Sequence, residues 1–128
     1  MTSCFFDTNV LACLASADAS KADVAQERLA GGGVISVQVL NELANVSRRK
    51  MGLSWPETQE FLSMIRAFVQ IEPLTQQTHD LGLALAERHG FSIYDAMIVA
   101  AGLIAGCDVL LSEDMQPGFV AAAQMKIM

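Results

Sequence analysis

Short apolar runs alternate with longer segments of helical periodicity along the whole chain, and this alternation constrains the fold more than any other sequence feature. Short apolar runs are typical of buried strands, whereas apolar residues recurring every three or four positions indicate amphipathic helices. The predicted strands are residues 3–6, 34–36, 69–74, 108–111 and, more weakly, 124–128. Strands that alternate with helices predict an α/β domain with a mainly parallel sheet.

Several helix boundaries carry local sequence signals. In "SWPE", which begins at Ser54, the serine occupies the capping position and the proline lies in the first turn. The glutamate is placed so that its side chain can reach back to the cap. We therefore predict a helix from here towards Ala67. Glycines that follow amphipathic runs predict left-handed residues at three helix ends, namely Gly31, Gly52 and Gly90. The segment 96–105 is apolar on nearly every side, which predicts a deeply buried helix.

Length and composition limit the class of protein. With 128 residues and 52% hydrophobic content, residues 1–128 are expected to form a single domain with one core. No apolar run reaches membrane-spanning length, and the first residues lack the basic lead and the cleavage site of a signal peptide. The three cysteines show no paired spacing, which argues against a disulfide framework or a zinc site. We therefore expect a cytoplasmic protein without a membrane partner.

The net charge of −6 argues against a generally basic surface. Sequence-independent binding of nucleic acids normally rests on clustered Lys and Arg residues. The chain has one such cluster, at the end of a predicted helix: Arg48, Arg49 and Lys50. These residues are candidates for binding phosphates, but cations at a helix C-terminus also interact favourably with the helix dipole. Bound divalent ions would reverse the local sign of charge if the acids gather at one site.

Acidic residues fall where the predicted parallel strands end. Asp7 ends the first strand in "CFFDTN", and Asp114 follows a later strand in "VLLSED". Asp95 lies in the first turn of the buried helix, which must begin at the same edge because a very short link joins its end to the next strand. Glu42 lies about one and a half turns into the helix after the second strand. Since ligands of parallel sheets bind beyond the carboxyl ends of the strands, the four carboxylates are expected to converge.

Convergence of carboxylates has an electrostatic consequence. At an effective dielectric constant of about 20, two like charges about 4 Å apart repel each other by about 4 kcal/mol. A carboxylate cluster must therefore retain protons or bind cations. Oxygen-only ligands suit Mg²⁺ or Mn²⁺, with water and a substrate phosphate at the remaining positions.

Each acid also has a purely structural interpretation. Asp7 can cap the helix that follows it. Asp95 stands three residues after Ser92, the spacing of a capping box. Glu42 lies on a polar helix face that can simply be solvated, and Asp114 can be an ordinary turn residue. None of the four positions is diagnostic by itself.

Four ordered motifs resemble those of a known family. The motifs "DTN", "VLNELANV", "SIYDAMIVAAG" and "LLSEDMQPG" are similar in order and spacing to those of the PIN-domain ribonucleases, most of all the VapC-type toxins of bacterial toxin–antitoxin pairs. The resemblance extends over nearly the entire chain. It implies the PIN fold, a three-layer α/β fold in which helices flank a parallel, roughly five-stranded sheet.

The resemblance also implies roles for individual residues in the hydrolysis of RNA phosphodiester bonds. The residues that match the family's acidic positions, and would hold Mg²⁺ or Mn²⁺, are Asp7, Glu42, Asp95 and Asp114. Glu113 is the alternative for the fourth position, and Glu42 would orient or deprotonate the nucleophile. Asn9 and Ser92 would hydrogen-bond the carboxylates. The residues expected to contact the substrate are Asn9, Arg48, Arg49 and Ser92.

The partners implied by the resemblance are an RNA substrate, a cognate VapB-type antitoxin and a second copy of the chain in a homodimer. The apolar residues that would contact the antitoxin, unless they belong to the core, are Met51, Leu53, Trp55, Phe61 and Met64. Two other functions stay open: a non-catalytic PIN-like module that binds RNA or protein, and an RNA-processing nuclease that is not a toxin. An aspartyl-phosphate phosphotransferase is disfavoured, because Asn9 stands where that class has a second aspartate.

Overall fold

Helices and strands alternate along the chain in the computed structural model, which describes residues 3–112, 120–121 and 125–127. The strands are β1 (Cys4–Phe6), β2 (Gly33–Ser36), β3 (Val69–Glu72), β4 (Val109–Leu111), β5 (Val120–Ala121) and β6 (Met125–Ile127). The α-helices are α1 (Thr8–Ala12), α2 (Ala19–Ala30), α3 (Val37–Arg49), α4 (Trp55–Arg66), α5 (Gln76–His89) and α6 (Ile93–Ile104). A 3₁₀ turn at Cys13–Ala15 follows α1.

The described strands form one six-stranded sheet in the order β3-β2-β1-β4-β6-β5. All neighbouring pairs are parallel except β5 and β6, which are antiparallel. β1 lies at the centre, where Phe5 is in register with Val34 on one side and Leu110 on the other. The predicted α/β architecture with a roughly five-stranded parallel sheet is confirmed, and β5 adds a short antiparallel strand that the sequence did not indicate.

The core lies around the central strands and α6. Phe5, Ile35 and Leu110 are fully buried, and so is Ile98 on α6. All residues of α6 from 96 to 102 are buried, which confirms the predicted deeply buried helix. Within the described part of the chain, neither α6 nor any other helix combines the length and the apolar content needed to cross a membrane.

The signals at the start of α4 produce the predicted cap. The Ser54 hydroxyl accepts a hydrogen bond from the Glu57 backbone N–H at 3.2 Å, and the Ser54 N–H donates to Glu57 Oε1 at 2.9 Å. This reciprocal pair satisfies two backbone N–H groups, those of Ser54 and Glu57, that have no partner within the helix. The predicted start of α4 is therefore confirmed.

The glycine predictions are confirmed at two positions and wrong at the third. Gly52 and Gly90 have positive φ angles of 67° and 74°. Gly90 is the C-cap of α5, whereas α3 ends at Arg49 with Lys50 as its C-cap and Gly52 lies in the turn that follows. Gly31 has a φ of −75° and remains right-handed as the C-cap of α2, and the left-handed conformation falls on Gly32, with a φ of 77°. Because Gly31 and Gly32 are adjacent, either could adopt the left-handed conformation. The direction in which the chain enters β2 decides between them, and the sequence pattern does not define that direction.

Candidate active site

Asp7 lies at the junction of β1 and α1. Its backbone N–H donates to the Leu111 carbonyl at 3.0 Å, which holds the end of β1 against β4. Its Oδ1 accepts from the Thr8 N–H at 2.6 Å, and its Oδ2 accepts from the Ser112 hydroxyl at 2.8 Å. The side chain is only 3% exposed. Asp7 is thus the cap of α1 and, at the same time, a buried carboxylate at the carboxyl edge of the sheet.

The surroundings of Asp7 favour its protonated form. The pKa of Asp7 is raised from 3.8 to about 6, mainly by burial and to a smaller extent by the charges of Asp95 and Glu42, against the lowering effect of the Ser112 and Thr8 hydrogen bonds. Three of the four predicted acids therefore lie close enough to interact electrostatically. At neutral pH an ionised Asp7 is destabilised, and a nearby cation would relieve this cost.

Glu42 is held by two hydrogen-bond donors. The Thr8 hydroxyl donates to Glu42 Oε1 at 2.7 Å, across 34 residues of sequence. Gln38, one turn earlier on α3, donates through Nε2 to Glu42 Oε2 at 2.9 Å. Since Thr8 also donates its backbone N–H to Asp7, this one residue connects two carboxylates of the site.

Asp95 lies in the first turn of α6 and is half-buried. The Ser92 hydroxyl caps this helix by accepting a hydrogen bond from the Asp95 backbone N–H at 3.2 Å. This contact fixes the first turn of α6, and with it the backbone position of Asp95. Asn9 is the second residue of α1 and is also half-buried.

The fourth acid of the predicted set falls outside the described residues. Asp114 and its alternative Glu113 both follow Ser112, and the next residue that the structure describes is Val120. Ser112 itself is buried and donates to Asp7. The structure therefore places Asp7, Glu42 and Asp95 together, and the assignment of Asp114 or Glu113 stays a prediction.

The residues that orient the carboxylates were not identified from the sequence. Thr8, Gln38 and Ser112 supply the hydrogen bonds to Asp7 and Glu42. Thr8 belongs to the "DTN" motif, and Gln38 precedes Glu42 by four residues, the spacing of helix neighbours. These positions are visible in the sequence, but their hydrogen-bond partners are not.

The donor atoms of the site suit a hydrated hard cation. In residues 3–112, 120–121 and 125–127, no group of three or more His, Cys, Asp or Glu side chains is arranged to hold a metal ion. Mg²⁺ usually retains several waters and binds through one or two protein carboxylates. Asp7 with Glu42 or Asp95 supplies oxygen ligands of that kind, whereas the softer metals that prefer sulfur or nitrogen would not be favoured here.

The predicted basic cluster lies at the end of α3. The Arg48 guanidinium carbon lies 4.3 Å from the centre of the Trp55 ring, and its Nη1 donates to the Leu53 carbonyl at 2.7 Å. Arg48 thus stabilises the turn between α3 and α4. Arg49 is exposed and lines, together with Arg48 and Trp55, a surface pocket of about 490 Å³.

The fold and the site define an α/β protein with interacting carboxylates at the carboxyl edge of a parallel sheet. The family model described as the PIN domain matches residues 4–123. The chain therefore belongs to the PIN-domain family. A comparison with curated proteins finds no match.

Solved structures with a similar fold include toxin–antitoxin proteins. A toxin–antitoxin complex from Klebsiella pneumoniae has a TM-score of 0.68 and 21% identity, covering 88% of this chain and 87% of that chain. VapC20 from Mycobacterium tuberculosis, a sarcin–ricin loop cleaving toxin, has a TM-score of 0.69 and 23% identity, covering 84% and 87%. DNA-bound VapBC from Salmonella typhimurium has a TM-score of 0.62 and 17% identity, covering 100% and 98%. At these identities the similarity establishes the fold.

Proposed function

We propose that this protein is a divalent-metal-dependent endoribonuclease that hydrolyses RNA phosphodiester bonds, and that it acts in the cytoplasm as the toxin of a type II toxin–antitoxin pair. The observation that carries the proposal is the buried Asp7 carboxylate, whose pKa is raised to about 6 by burial and by its acidic neighbours. Such a group favours a bound cation. The fold shared with VapC20, a toxin that cleaves the sarcin–ricin loop, supports an RNA substrate.

The residues of the site divide into ligands and positioning groups. A Mg²⁺ or Mn²⁺ ion bound there would polarise the phosphoryl oxygen and lower the pKa of a bound water. Asp7 and Asp95, with Asp114 as the predicted third ligand, hold the cation directly or through water. Glu42 orients the attacking water and accepts its proton, and each of its oxygens retains a lone pair beyond the hydrogen bond already made. Thr8 and Gln38 fix the Glu42 carboxylate for this role.

An apolar surface supports a protein partner. Phe61, Met64 and Phe68 line a pocket of about 580 Å³ together with residues of α2, and Met64 and Phe68 are exposed. Of the five apolar residues assigned to the antitoxin from sequence, Trp55 and Met64 are exposed and the other three are partly buried. We propose that a small VapB-type antitoxin covers the pocket, and that the protein forms a homodimer.

The test of the proposed function starts with purified protein and RNA. Cleavage should require added Mg²⁺ or Mn²⁺, cease with a chelator and return when the metal is restored. Expression in cells should arrest growth, and a small protein encoded beside this chain should relieve the arrest. Absence of metal-dependent cleavage under all these conditions would favour a non-catalytic binding module. Cleavage without growth arrest would favour an RNA-processing nuclease.

A further inference from the structure

The turn between α3 and α4 joins an exposed aromatic ring to a guanidinium group. Trp55, the first residue of α4, is 60% exposed. The Arg48 guanidinium lies over its ring at 4.3 Å and is itself held by the Leu53 carbonyl. A hydrogen bond within the turn therefore fixes the cation, and the remaining exposed ring is available for another planar group. Stacking on such a ring does not require the turn to rearrange.

The charge at this turn is opposite to that of the chain. The net charge is −6, yet three of the eight Lys and Arg residues are consecutive, at positions 48–50. A pocket of about 490 Å³ is lined by Ala44, Asn45, Arg48, Arg49 and Trp55. Proteins that bind single-stranded nucleic acids combine a positive groove for phosphates with aromatic rings on which bases stack. Both elements are present in this pocket.

The α3 helix connects this pocket to the candidate active site. Glu42, Asn45 and Arg49 are spaced by three and four residues, so they follow one another along one face of α3. At 1.5 Å per residue, Arg49 lies about 10 Å along the helix axis from Glu42. An RNA strand bound at Asp7 and Glu42 can therefore extend along this face to Trp55.

We propose that Asn45, Arg48, Arg49 and Trp55 form a nucleotide-binding surface, in which Trp55 stacks a base of single-stranded RNA and Arg49 binds an adjacent phosphate. The inference rests on the proposed nuclease function and names the form of its substrate. A base can stack on Trp55 only when it has left its own helical stack, so the surface selects single strands, loops or ends over continuous duplexes.

The chain itself provides the probe for this surface. Trp55 is the only tryptophan, so tryptophan fluorescence reports on this position alone. The Asp7→Asn variant, in which cleavage is blocked, should show saturable quenching with a single-stranded oligoribonucleotide and much weaker quenching with a duplex of the same sequence. Arg49→Ala should weaken single-strand binding at least about fivefold and reduce its salt dependence. Arg66→Ala is the matched control, because Arg66 is also an exposed arginine in the last turn of a helix.

A second arm measures cleavage by the metal-loaded protein. Trp55→Leu should raise KM about tenfold or more with little change in kcat, as expected for the loss of one base–aromatic stack. Trp55→Phe should retain most of the affinity, because a ring is still present. Leu83→Ala, on α5, is the control for loss of an exposed large apolar side chain and should leave KM unchanged.

The outcomes separate this inference from the proposed function. Metal-dependent cleavage with no tryptophan quenching, or with an unchanged KM in Trp55→Leu, would overturn the surface and leave the nuclease intact. Quenching by single strands without any cleavage would support the surface and reject the nuclease. Quenching by an antitoxin but by no RNA would assign Trp55 to the protein partner and overturn the inference.

Discussion

At the carboxyl ends of the strands the chain buries a carboxylate, whereas at their amino ends it uses glycine to bring backbone and side chains together. Asp7 is 3% exposed and has a pKa raised to about 6. At the opposite edge, a Cβ on Gly33 would lie 2.5 Å from Phe6 Cε2 and 2.8 Å from the Cys4 carbonyl oxygen. The carboxyl edge loses stability by holding a reactive group, and the amino edge gains stability through close packing. Substitutions at the two edges should therefore separate activity from stability.

The largest expected effect is the loss of activity in Asp7→Asn. The change removes the charge that holds the cation and keeps an oxygen that can cap α1. Metal-dependent cleavage should fall at least about 100-fold, beyond the usual range for residues that only orient a metal ligand. Asp18→Asn is the matched control, since Asp18 also caps a helix, α2, through the Ser20 N–H but is exposed. Equal activity of the two variants would contradict the role of Asp7.

The pH dependence of stability should follow the Asp7 pKa. Because the pKa is about 6 in the folded protein and 3.8 for the isolated group, the folded state binds the proton more tightly than the unfolded chain. In metal-free protein, the free energy of unfolding should therefore fall by up to about 3 kcal/mol as the pH rises through this interval. Thermal unfolding at pH values from about 4 to 7 should show this slope in the wild type. Asp7→Asn should lack the part of the slope that is due to Asp7. Identical slopes in the variant and the wild type would refute the raised pKa of Asp7.

At the amino edge, Gly33→Ala should reduce stability without a direct effect on chemistry. The new methyl group would clash with Phe6 and with a backbone oxygen that cannot easily move. Overpacking of this kind typically costs about 1 to 3 kcal/mol. Chemical denaturation provides the measurement, with activity normalised to the folded fraction. Gly31→Ala is the control, because Gly31 has a φ of −75° and its Cβ would meet only the Arg28 carbonyl at 3.5 Å. Comparable losses in both variants would argue against the clash.

The smallest of these effects is expected for Thr8→Val. The substitution removes the hydroxyl that donates to Glu42 at 2.7 Å and leaves the backbone N–H that donates to Asp7. Cleavage should fall about tenfold, the lower end of the range for groups that orient site residues. Thr8→Ser retains the hydroxyl and should recover most of the activity. Failure of Thr8→Ser to exceed Thr8→Val would show that the methyl group, rather than the hydrogen bond, matters.

Much of the fold could be predicted because local signals and burial agree. Each apolar run that was assigned to a strand forms one, and the Ser54 cap forms as its sequence predicts. β5 could not be predicted, since two residues carry no recognisable periodicity. The choice between Gly31 and Gly32 depends on how the chain enters β2, and both glycines permit the turn.

The candidate site was predictable in its residues more than in their contacts. The topology of a parallel sheet brings Asp7, Glu42 and Asp95 to one edge, and their electrostatic interaction is found there. The bond from Thr8 to Glu42 spans 34 residues, so no local pattern reveals it. Arg48 was expected to bind phosphate, but its position in the structure depends on the turn geometry that places Leu53 and Trp55 beside it.

The burial of α6 determines how the site responds to heat. Residues 96–102 are all shielded from solvent, and Gly82 of α5 lies so close that an added Cβ would be 2.7 Å from the Met97 sulfur. Amide protons in such a segment exchange with deuterium mainly through global opening of the domain. Asp95 directly precedes this segment, so its backbone is anchored to the most buried part of the domain. Thermal inactivation should therefore coincide with the cooperative unfolding transition instead of preceding it.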